Sequence, residues 1–226
     1  AALMDDGAEY QPNEAVSIAK KGATAKFAET VELHLRTGSD PRHADQLVRG
    51  VVTLPYGTGK PVRVVVFTQG EGVAIAKDAK ADYIGDEELM KRIEGGWTDF
   101  DVSIATPDMM GKVGRLGRIL GRRGLMPNPR TGTVVPLGDI ARVVQESKKG
   151  RVEYRLDKSA LIHVPIGKSD FEETQLLGNL TAVMDNIMRS RPSGIKGQYI
   201  RSAFLSSTMG PSIKMDVAAA TALRIE

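Results

Sequence analysis

Apolar and polar residues alternate with a period of two between residues 27 and 37, which is typical of a strand with one buried and one exposed face. The predicted apolar face holds four residues: Phe27, Val31, Leu33 and Leu35. The predicted polar face holds four others: Thr30, Glu32, His34 and Arg36. Further strands are predicted at residues 47–54, 152–156, 161–166 and 199–206, and amphipathic helices at residues 13–21 and 176–188. The patterns at the two ends of the chain therefore predict an α+β arrangement in which one face of the sheet is exposed to solvent.

The middle of the chain has a different pattern. Residues 62–67 form a nearly continuous β-branched run, which is typical of a strand buried on both faces. Shorter strands are predicted at residues 81–85 and 100–106, and helices at residues 73–79, 87–93 and 137–148. Asp86 is placed to cap the second of these helices, and Pro107 to start another. Strands that alternate with helices in this way predict a parallel sheet with helical crossovers.

The simplest domain organisation that explains these patterns is a discontinuous domain, formed by both ends of the chain, with a second domain inserted into it. Residues 1–58 and 151–226 would form a two-layer α+β domain, and residues 59–150 an inserted α/β domain. The chain would cross between them at residues 56–61 and 149–151, where glycines predict flexible connections.

Composition excludes several classes of site. The 226 residues include no cysteine, which excludes disulfides, thiolate metal ligands and cysteine nucleophiles. The three histidines are far apart in sequence, so no metal site and no cofactor is expected. No apolar run approaches the ~20 residues of a transmembrane helix, and no signal peptide is visible. The net charge is only +3, so the distribution of charge says more about partners than the total does.

Residues 109–138 contain no acidic residue but carry six cations: Lys112, Arg115, Arg118, Arg122, Arg123 and Arg130. Glycines are spread among them, and a Met-Pro-Asn-Pro-Arg-Thr-Gly turn follows at residues 126–132. Glycine destabilises helices and clustered cations repel one another. A bound polyanion would resolve both, because glycine lets backbone approach phosphate closely and arginine neutralises it. The segment therefore indicates a nucleic-acid partner.

Catalytic motifs fit the sequence poorly. Residues 57–60 resemble a phosphate-binding loop, but Leu54 and Pro61 stand where that motif needs Gly and Ser or Thr. The Gly-x-x-Gly spacing of residues 114–117 does not match the dinucleotide fingerprint. No nucleophile elbow is present, so no catalytic residue is predicted. The competing hypothesis is an enzyme with a phosphate-bearing substrate that uses the parallel sheet of residues 62–149.

Two other patterns leave their interpretation open. Residues 121–124 and 194–197 match the Gly-x-x-Gly loop of one RNA-binding module, which basic turns also satisfy. Residues 206–212 bring four hydroxyls around Gly210, which suits contacts to ribose and phosphate but also a polar strand end. Asp99, Asp101 and Asp108 are better explained by capping and solvation than by a metal site.

The sequence resembles the ribosomal protein L-one family, whose members lie at the mobile stalk of the large ribosomal subunit. Residues 117–133 carry this resemblance: Gly-Arg-Ile-Leu-Gly-Arg-Arg-Gly-Leu-Met-Pro-Asn-Pro-Arg-Thr-Gly-Thr. Shorter motifs support it at residues 25–27, 45–50, 105–110 and 207–212, in family order. The resemblance implies the same split architecture, with a Rossmann-like inserted domain and the main RNA site in the terminal domain.

The resemblance also implies which residues contact RNA. Matching motifs place these contacts at Lys26, Phe27, Thr30, Glu32, His163, Gly167, Lys168, Ser207, Thr208, Met209 and Gly210. A secondary contact in the inserted domain is implied for Arg118, Arg122, Arg123 and Arg130. The implied function is non-enzymatic: the protein would bind stalk rRNA and help deacylated tRNA leave the exit site. Repression of its own messenger RNA is a further role at the level of the family.

The sequence departs from the family pattern in a few places. Arg122 replaces a usual proline, and Leu156 and Ala160 replace the usual Asn and Gly around Asp157 and Lys158. Residues 218–226 have no obvious counterpart. A chain that starts at Ala1 without the basic start common in the family favours a processed chloroplast protein, with the bacterial cytoplasm as the alternative.

Overall fold

The computed structural model describes residues 4, 5 and 7–223. In chain order the elements are α1 (Pro12–Gly22), β1 (Thr30–Thr37), β2 (Arg49–Thr53), β3 (Val64–Phe67), α2 (Glu71–Asp78), β4 (Tyr83–Ile84), α3 (Glu87–Glu94), β5 (Val102–Ala105), α4 (Met110–Val113), α5 (Gly117–Arg122), α6 (Ile140–Lys148), β6 (Arg151–Arg155), β7 (Leu161–Lys168), α7 (Glu173–Arg189), β8 (Ile200–Ser207), β9 (Ile213–Met215) and α8 (Val217–Ala222). The predicted fold class, which mixes an α+β and an α/β arrangement, is confirmed.

The chain divides into two compact units. Unit 1 runs to Gly59 and resumes at Gly150, and unit 2 is Lys60–Lys149. None of the helices in the described residues is long and apolar enough to cross a membrane.

Unit 1 is built on an antiparallel sheet of four strands in the order β7-β1-β8-β9. One face of this sheet packs against α1 and α7, and a second sheet pairs β2 with β6. The inward residues of β1, including Val31, Leu33 and Leu35, are fully buried in a single core. The alternation predicted for this strand is therefore confirmed from Thr30 onward. Phe27 lies before the strand and is 56% exposed, so its predicted place on the apolar face is wrong.

Unit 2 contains a parallel sheet of three strands in the order β4-β3-β5. All four residues of β3 are buried, as the continuous apolar run predicts. Val64 and Val66 face a core that includes residues of α2 and α6. Val65 and Phe67 face a second core with residues of α3, α4 and α5. The predicted cap is also present, since the Asp86 carboxylate accepts a 2.8 Å bond from the Leu89 amide.

The helix predicted to start at Pro107 begins there as a 3-10 turn, and the glycine-rich segment of unit 2 stays mainly helical between residues 110 and 122. Its apolar residues Met109, Val113, Leu116 and Leu120 recur at helical spacing and are buried in one core. Burial of this stripe outweighs the helix-breaking tendency of the glycines, each of which costs about 1 kcal/mol relative to alanine. One cation of the segment is paired: Lys112 lies 3.8 Å from Glu87.

The turn between β6 and β7 contains Ala160, where the resemblance leads one to expect glycine. Asp157 accepts bonds from the amides of Ser159 and Leu161 at 2.8 and 2.7 Å. This tight turn holds Ala160 at φ +63°, in the left-handed region that favours glycine.

We expect Ala160→Gly to stabilise unit 1 by about 1 kcal/mol, because glycine adopts this conformation without a Cβ clash. Urea unfolding would measure the change. Ala160→Val is the matched control and should destabilise, since a β-branched residue is poorly tolerated at positive φ. If Ala160→Gly lowers stability, the strain assigned to this turn is absent.

The chain leaves and re-enters unit 1 at neighbouring points. Gly150 has φ +106°, and a Cβ on it would collide with the backbone of Gly57. Asn179 of α7 is fully buried beside this crossing. Its side chain accepts a bond from the Tyr56 amide and donates to the carbonyls of Gly57 and Ile166, at 3.0, 2.9 and 2.7 Å. One buried amide thus ties the crossing to both a helix and a strand.

Candidate nucleic-acid interface

The face of the unit 1 sheet opposite its helices carries polar side chains from several strands. On β1 these are the residues at even positions, from Thr30 to Arg36, and all of them are exposed or half-buried. The register places Thr30 beside Lys168 of β7, and Glu32 beside Ser206 of β8. The predicted polar face of one strand is thus part of a polar surface that spans the sheet.

The start of β1 is joined to the ends of β7 and β8 by side chains. Thr208 Oγ1 accepts a 3.0 Å bond from the Thr30 amide. The Lys168 ammonium donates to Thr30 Oγ1 at 2.8 Å and to the Ala28 carbonyl at 3.4 Å. Since the Thr30 hydroxyl accepts from lysine, its hydrogen can be donated to a phosphate or ribose oxygen. Three residues predicted from different parts of the sequence therefore meet at one sheet corner.

Glu29 organises this corner from below the surface. The residue is 1% exposed. Its carboxylate accepts from the Ala25 amide at 2.9 Å and from the Met209 amide at 2.9 Å. Its own amide donates to Ser169 Oγ at 3.1 Å. These bonds hold together the loops that flank β1, β7 and β8.

The hydrogen bonds of Glu29 also set its ionisation. Donation from the Ala25 amide, followed by that from the Met209 amide, holds the pKa of this carboxyl below its ordinary value of 4.5. Glu29 is therefore a carboxylate at neutral pH.

The loops that Glu29 holds present the most exposed apolar side chains of the corner. Phe27 is 56% and Met209 71% exposed. Lys26 is exposed beside Phe27, and Thr208 beside Met209. Large apolar groups exposed next to a lysine and a hydroxyl suit an RNA surface, where bases and ribose faces lie beside phosphates.

Three of the predicted contact residues have packing roles in this structure. Gly167 is buried at φ +155°, and a Cβ there would lie 2.8 Å from Leu176 and 3.0 Å from Phe171. Ser207 is only 4% exposed. A Cβ on Gly210 would collide with the Ser207 side chain. These residues shape the corner, and its most exposed side chains come from their neighbours Lys26, Phe27, Thr208 and Met209.

His163 lies away from this corner, near the middle of the same face. It is exposed and pairs in register with His34 of β1, two residues beyond Glu32. Its Nδ1 lies 2.7 Å from the Nδ1 of His34. The two histidines, which are far apart in sequence, are brought together by the sheet. Among the described residues no group of three His, Asp or Glu side chains could hold a metal ion.

The four arginines predicted as a secondary contact are all exposed in unit 2. Arg118 and Arg122 are four residues apart on α5, so they lie on the same side of that helix. Arg123 ends the helix and donates to Thr98 Oγ1. Arg130 lies in the turn where the Asn128 side chain accepts from its amide at 2.8 Å. A Cβ on Gly114, Gly117 or Gly121 would meet no atom within 4 Å. No neighbouring group covers these glycines, so a partner could approach the helical backbone closely there.

Sequence reasoning missed Glu29 as a residue of the site, although a signal was present. In the alternation of β1 it falls on the apolar side, between Phe27 and Val31. A charged residue at an inward position is costly to bury unless it is hydrogen-bonded, and therefore indicates a specific role. Phe204 has a comparable signal, because β8 places it among outward polar residues.

The sequence is similar to that of known ribosomal proteins over most of its length. The sequence matches the ribosomal protein L1p/L10e family over residues 19–211. The large ribosomal subunit protein uL1 of Dehalococcoides mccartyi is 56% identical over 221 residues, which are 98% of this chain and 93% of that protein. The protein of the same name from Chloroflexus aurantiacus is 55% identical over 224 residues, which are 99% of this chain and 94% of that protein.

Both of these relatives are bacterial, so they do not support the expectation of a chloroplast protein. The match extends across both units and includes the glycine-rich helices as well as the sheet corner. With this coverage, and with relatives that share more than half of its residues, the chain belongs to the ribosomal protein L1p/L10e family.

Proposed function

We propose that this protein is a non-enzymatic constituent of the large ribosomal subunit that binds stalk rRNA. It would act in a bacterial cytoplasm, in keeping with its bacterial relatives, which bear the name of a large-subunit protein. The observation that carries the proposal is the corner of the unit 1 sheet. There Thr30, Lys168 and Thr208 are hydrogen-bonded together beside the exposed Phe27 and Met209.

The chemistry of this corner suits RNA. Lys26 and Lys168 supply charge for phosphates, and Thr30 and Thr208 supply hydroxyls. Glu32 can accept a hydrogen bond from a ribose 2′-hydroxyl, a group that DNA lacks. Phe27 and Met209 offer apolar surface to a base or a ribose face. The corner thus combines charge, hydrogen bonding and shape, which general attraction to a polyanion would not require.

The exposed arginines of unit 2 would form a second, weaker contact through Arg118, Arg122, Arg123 and Arg130. Bound to the stalk in this way, the protein would help deacylated tRNA leave the exit site. Binding to its own messenger RNA would use the same corner of unit 1 if that RNA presents a similar site. The competing hypothesis, an enzyme with a phosphate-bearing substrate, finds no nucleotide motif in the sheet of unit 2.

Binding of the purified protein to a stalk rRNA fragment across a salt series tests this proposal. We expect the Thr208→Ala, Met209→Ala double variant to lose about 30-fold in affinity, because it removes a hydroxyl and an apolar contact. The dependence of affinity on salt should stay nearly unchanged, since neither side chain is charged.

Thr53→Ala is a suitable control, because Thr53 is exposed on β2, in the other sheet of unit 1. It should bind RNA like the wild type. Weak wild-type binding that collapses with salt and ignores the double variant would show only generic phosphate attraction and would contradict the proposal.

A further inference from the structure

A row of side chains crosses the open face of the unit 1 sheet at one level. His163 of β7 is paired with His34 of β1, His34 with Phe204 of β8, and Phe204 with Lys214 of β9. Side chains directly opposite each other on neighbouring strands have Cβ atoms about 5 Å apart. Three ring-bearing residues therefore stand side by side on a face that is otherwise mostly polar.

The two imidazoles of this row are held in place. Their Nδ1 atoms are 2.7 Å apart, and the rings meet edge to face with centroids 5.0 Å apart. His34 Nε2 also lies 2.9 Å from Ser206 Oγ. At this separation only one of the two Nδ1 atoms can carry a proton, so the pair shares a single hydrogen bond. Burial, and next the nearby His163, lower the pKa of His34 below its ordinary value of 6.5. His34 is therefore neutral at pH 7.

A shallow pocket of about 400 Å³ opens between these rings. Its lining includes His34, His163 and Phe204, with Arg36, Leu161 and Ser202 from the next level of the sheet. Its volume is in the range of sites that take small planar ligands. The pocket is thus walled by rings and apolar surface and has one guanidinium at its edge.

The charged groups around the pocket are of both signs. Arg36 is exposed, whereas the Lys214 ammonium is paired with Glu9 at 2.7 Å. Glu32 lies 3.9 Å from His34 Nε2, and Asp157 lies 3.9 Å from His163 Nε2. A free phosphate would meet both carboxylates here, which disfavours a purely anionic ligand. A neutral ring with donor groups, attached to a backbone phosphate near Arg36, fits this distribution.

We propose that the row His163, His34 and Phe204 is a platform on which an unpaired nucleobase of the bound RNA stacks. This proposal rests on the proposed function and extends it along the same sheet face, from the corner at Thr30 and Glu32 to the middle of β1. Every base presents a π-face, and aromatic side chains on an open sheet are a known way to hold splayed-out bases. Arg36 would bind the phosphate beside that base, and the Glu32 and Asp157 carboxylates would accept from its amino groups.

Replacement of Phe204 tests the platform with the stalk rRNA fragment as probe. We expect Phe204→Leu, which keeps apolar volume but removes the ring, to weaken binding by about 10-fold. Phe204→Trp keeps a stacking surface and should restore most of the affinity. Neither change should alter the salt dependence, because stacking releases no counterions. Thermal unfolding of both variants checks that the sheet is intact.

Abasic substitution in the RNA then identifies the stacked base. Each unpaired nucleotide of the fragment is replaced in turn, and affinity is measured for the wild type and for Phe204→Leu. At one position the wild type should lose about 10-fold while Phe204→Leu loses almost nothing, because the two changes remove the same contact.

The outcomes separate this proposal from the function on which it rests. Binding that depends on Thr208 and Met209 but is unaffected by Phe204→Leu would overturn the platform and leave the rRNA-binding proposal standing. The platform would also be overturned if every abasic substitution weakened binding of the wild type and of Phe204→Leu by the same factor. Failure of the wild type to bind the fragment would overturn both.

Discussion

Replacing Glu29 with glutamine is expected to weaken binding to the stalk rRNA fragment by about 30-fold. The carboxylate accepts from two backbone amides, those of Ala25 and Met209. A glutamine amide has one acceptor oxygen, so its NH₂ group would face one of these N–H donors. The loop that carries Lys26 and Phe27, or the loop that carries Thr208 and Met209, would then lose its position. Filter binding or fluorescence anisotropy would measure the loss.

The direction of this effect separates positioning from simple electrostatics. Removing a negative charge near a polyanion should strengthen binding if charge alone mattered. Glu153→Gln is the matched control, because Glu153 is a surface residue of β6 that pairs with Arg49. It should leave affinity unchanged or slightly raised. If Glu29→Gln also strengthens binding, the carboxylate does not hold the RNA site together.

Lowering the pH should destabilise the folded wild type, because protonation of Glu29 removes the same carboxylate that Glu29→Gln removes. Because the folded-state pKa of Glu29 is lowered from 4.5, its contribution to stability is present above that value. The contribution is lost as pH falls through the lower, folded-state pKa. The unfolding midpoint of Glu29→Gln should consequently depend less on pH in this range than that of the wild type.

Replacing Asn179 with alanine is expected to destabilise unit 1 by about 3 kcal/mol. The substitution leaves the Tyr56 amide and the carbonyls of Gly57 and Ile166 without their shared side-chain partner, in a place where Asn179 itself is fully buried. A buried polar group without a partner has lost its hydrogen bonds to water and gained none in the protein. The expected loss of stability therefore exceeds that of an ordinary hydrogen bond. Urea unfolding at equilibrium would measure the change.

Arg189→Ala on the same helix is the control for this substitution. Its exposed guanidinium pairs with the half-buried Asp185 at 2.8 Å, and pairs at the surface are worth at most about 1 kcal/mol. A loss for Asn179→Ala no larger than that of Arg189→Ala would mean that water replaces the three bonds and that the crossing does not depend on this side chain.

Most helices and strands could be predicted from periodicity because each has a buried face with its own spacing. The alternation of β1 and the continuous apolar run of β3 are clear in the sequence, and both strands form. The sequence predicts the helix that starts at Pro107 but not its continuation to Arg122, because glycines disfavour a helix there. The continuation is stabilised by the buried stripe of Met109, Val113, Leu116 and Leu120. Tertiary burial regularly overrides propensity, and these four residues show the reason.

The candidate site could be predicted only in part. The residue types that suit RNA were found through short motifs and through resemblance to a family. Their arrangement was not, since Thr30, Lys168 and Thr208 come from separate strands and meet only through sheet register. The place of Phe27 was also misjudged, because alternation continues in the sequence beyond the point where the strand begins.

By itself the sequence determined most of the helices and strands, the absence of cysteine chemistry and the basic character of one segment, because these depend on residue type and local spacing. Only the tertiary structure decided that Glu29 is a buried carboxylate that joins three loops, and that His34 and His163 form a hydrogen-bonded pair. The physical reason is that strand register brings together residues more than a hundred positions apart. No local pattern in a single sequence records which strand will lie beside which.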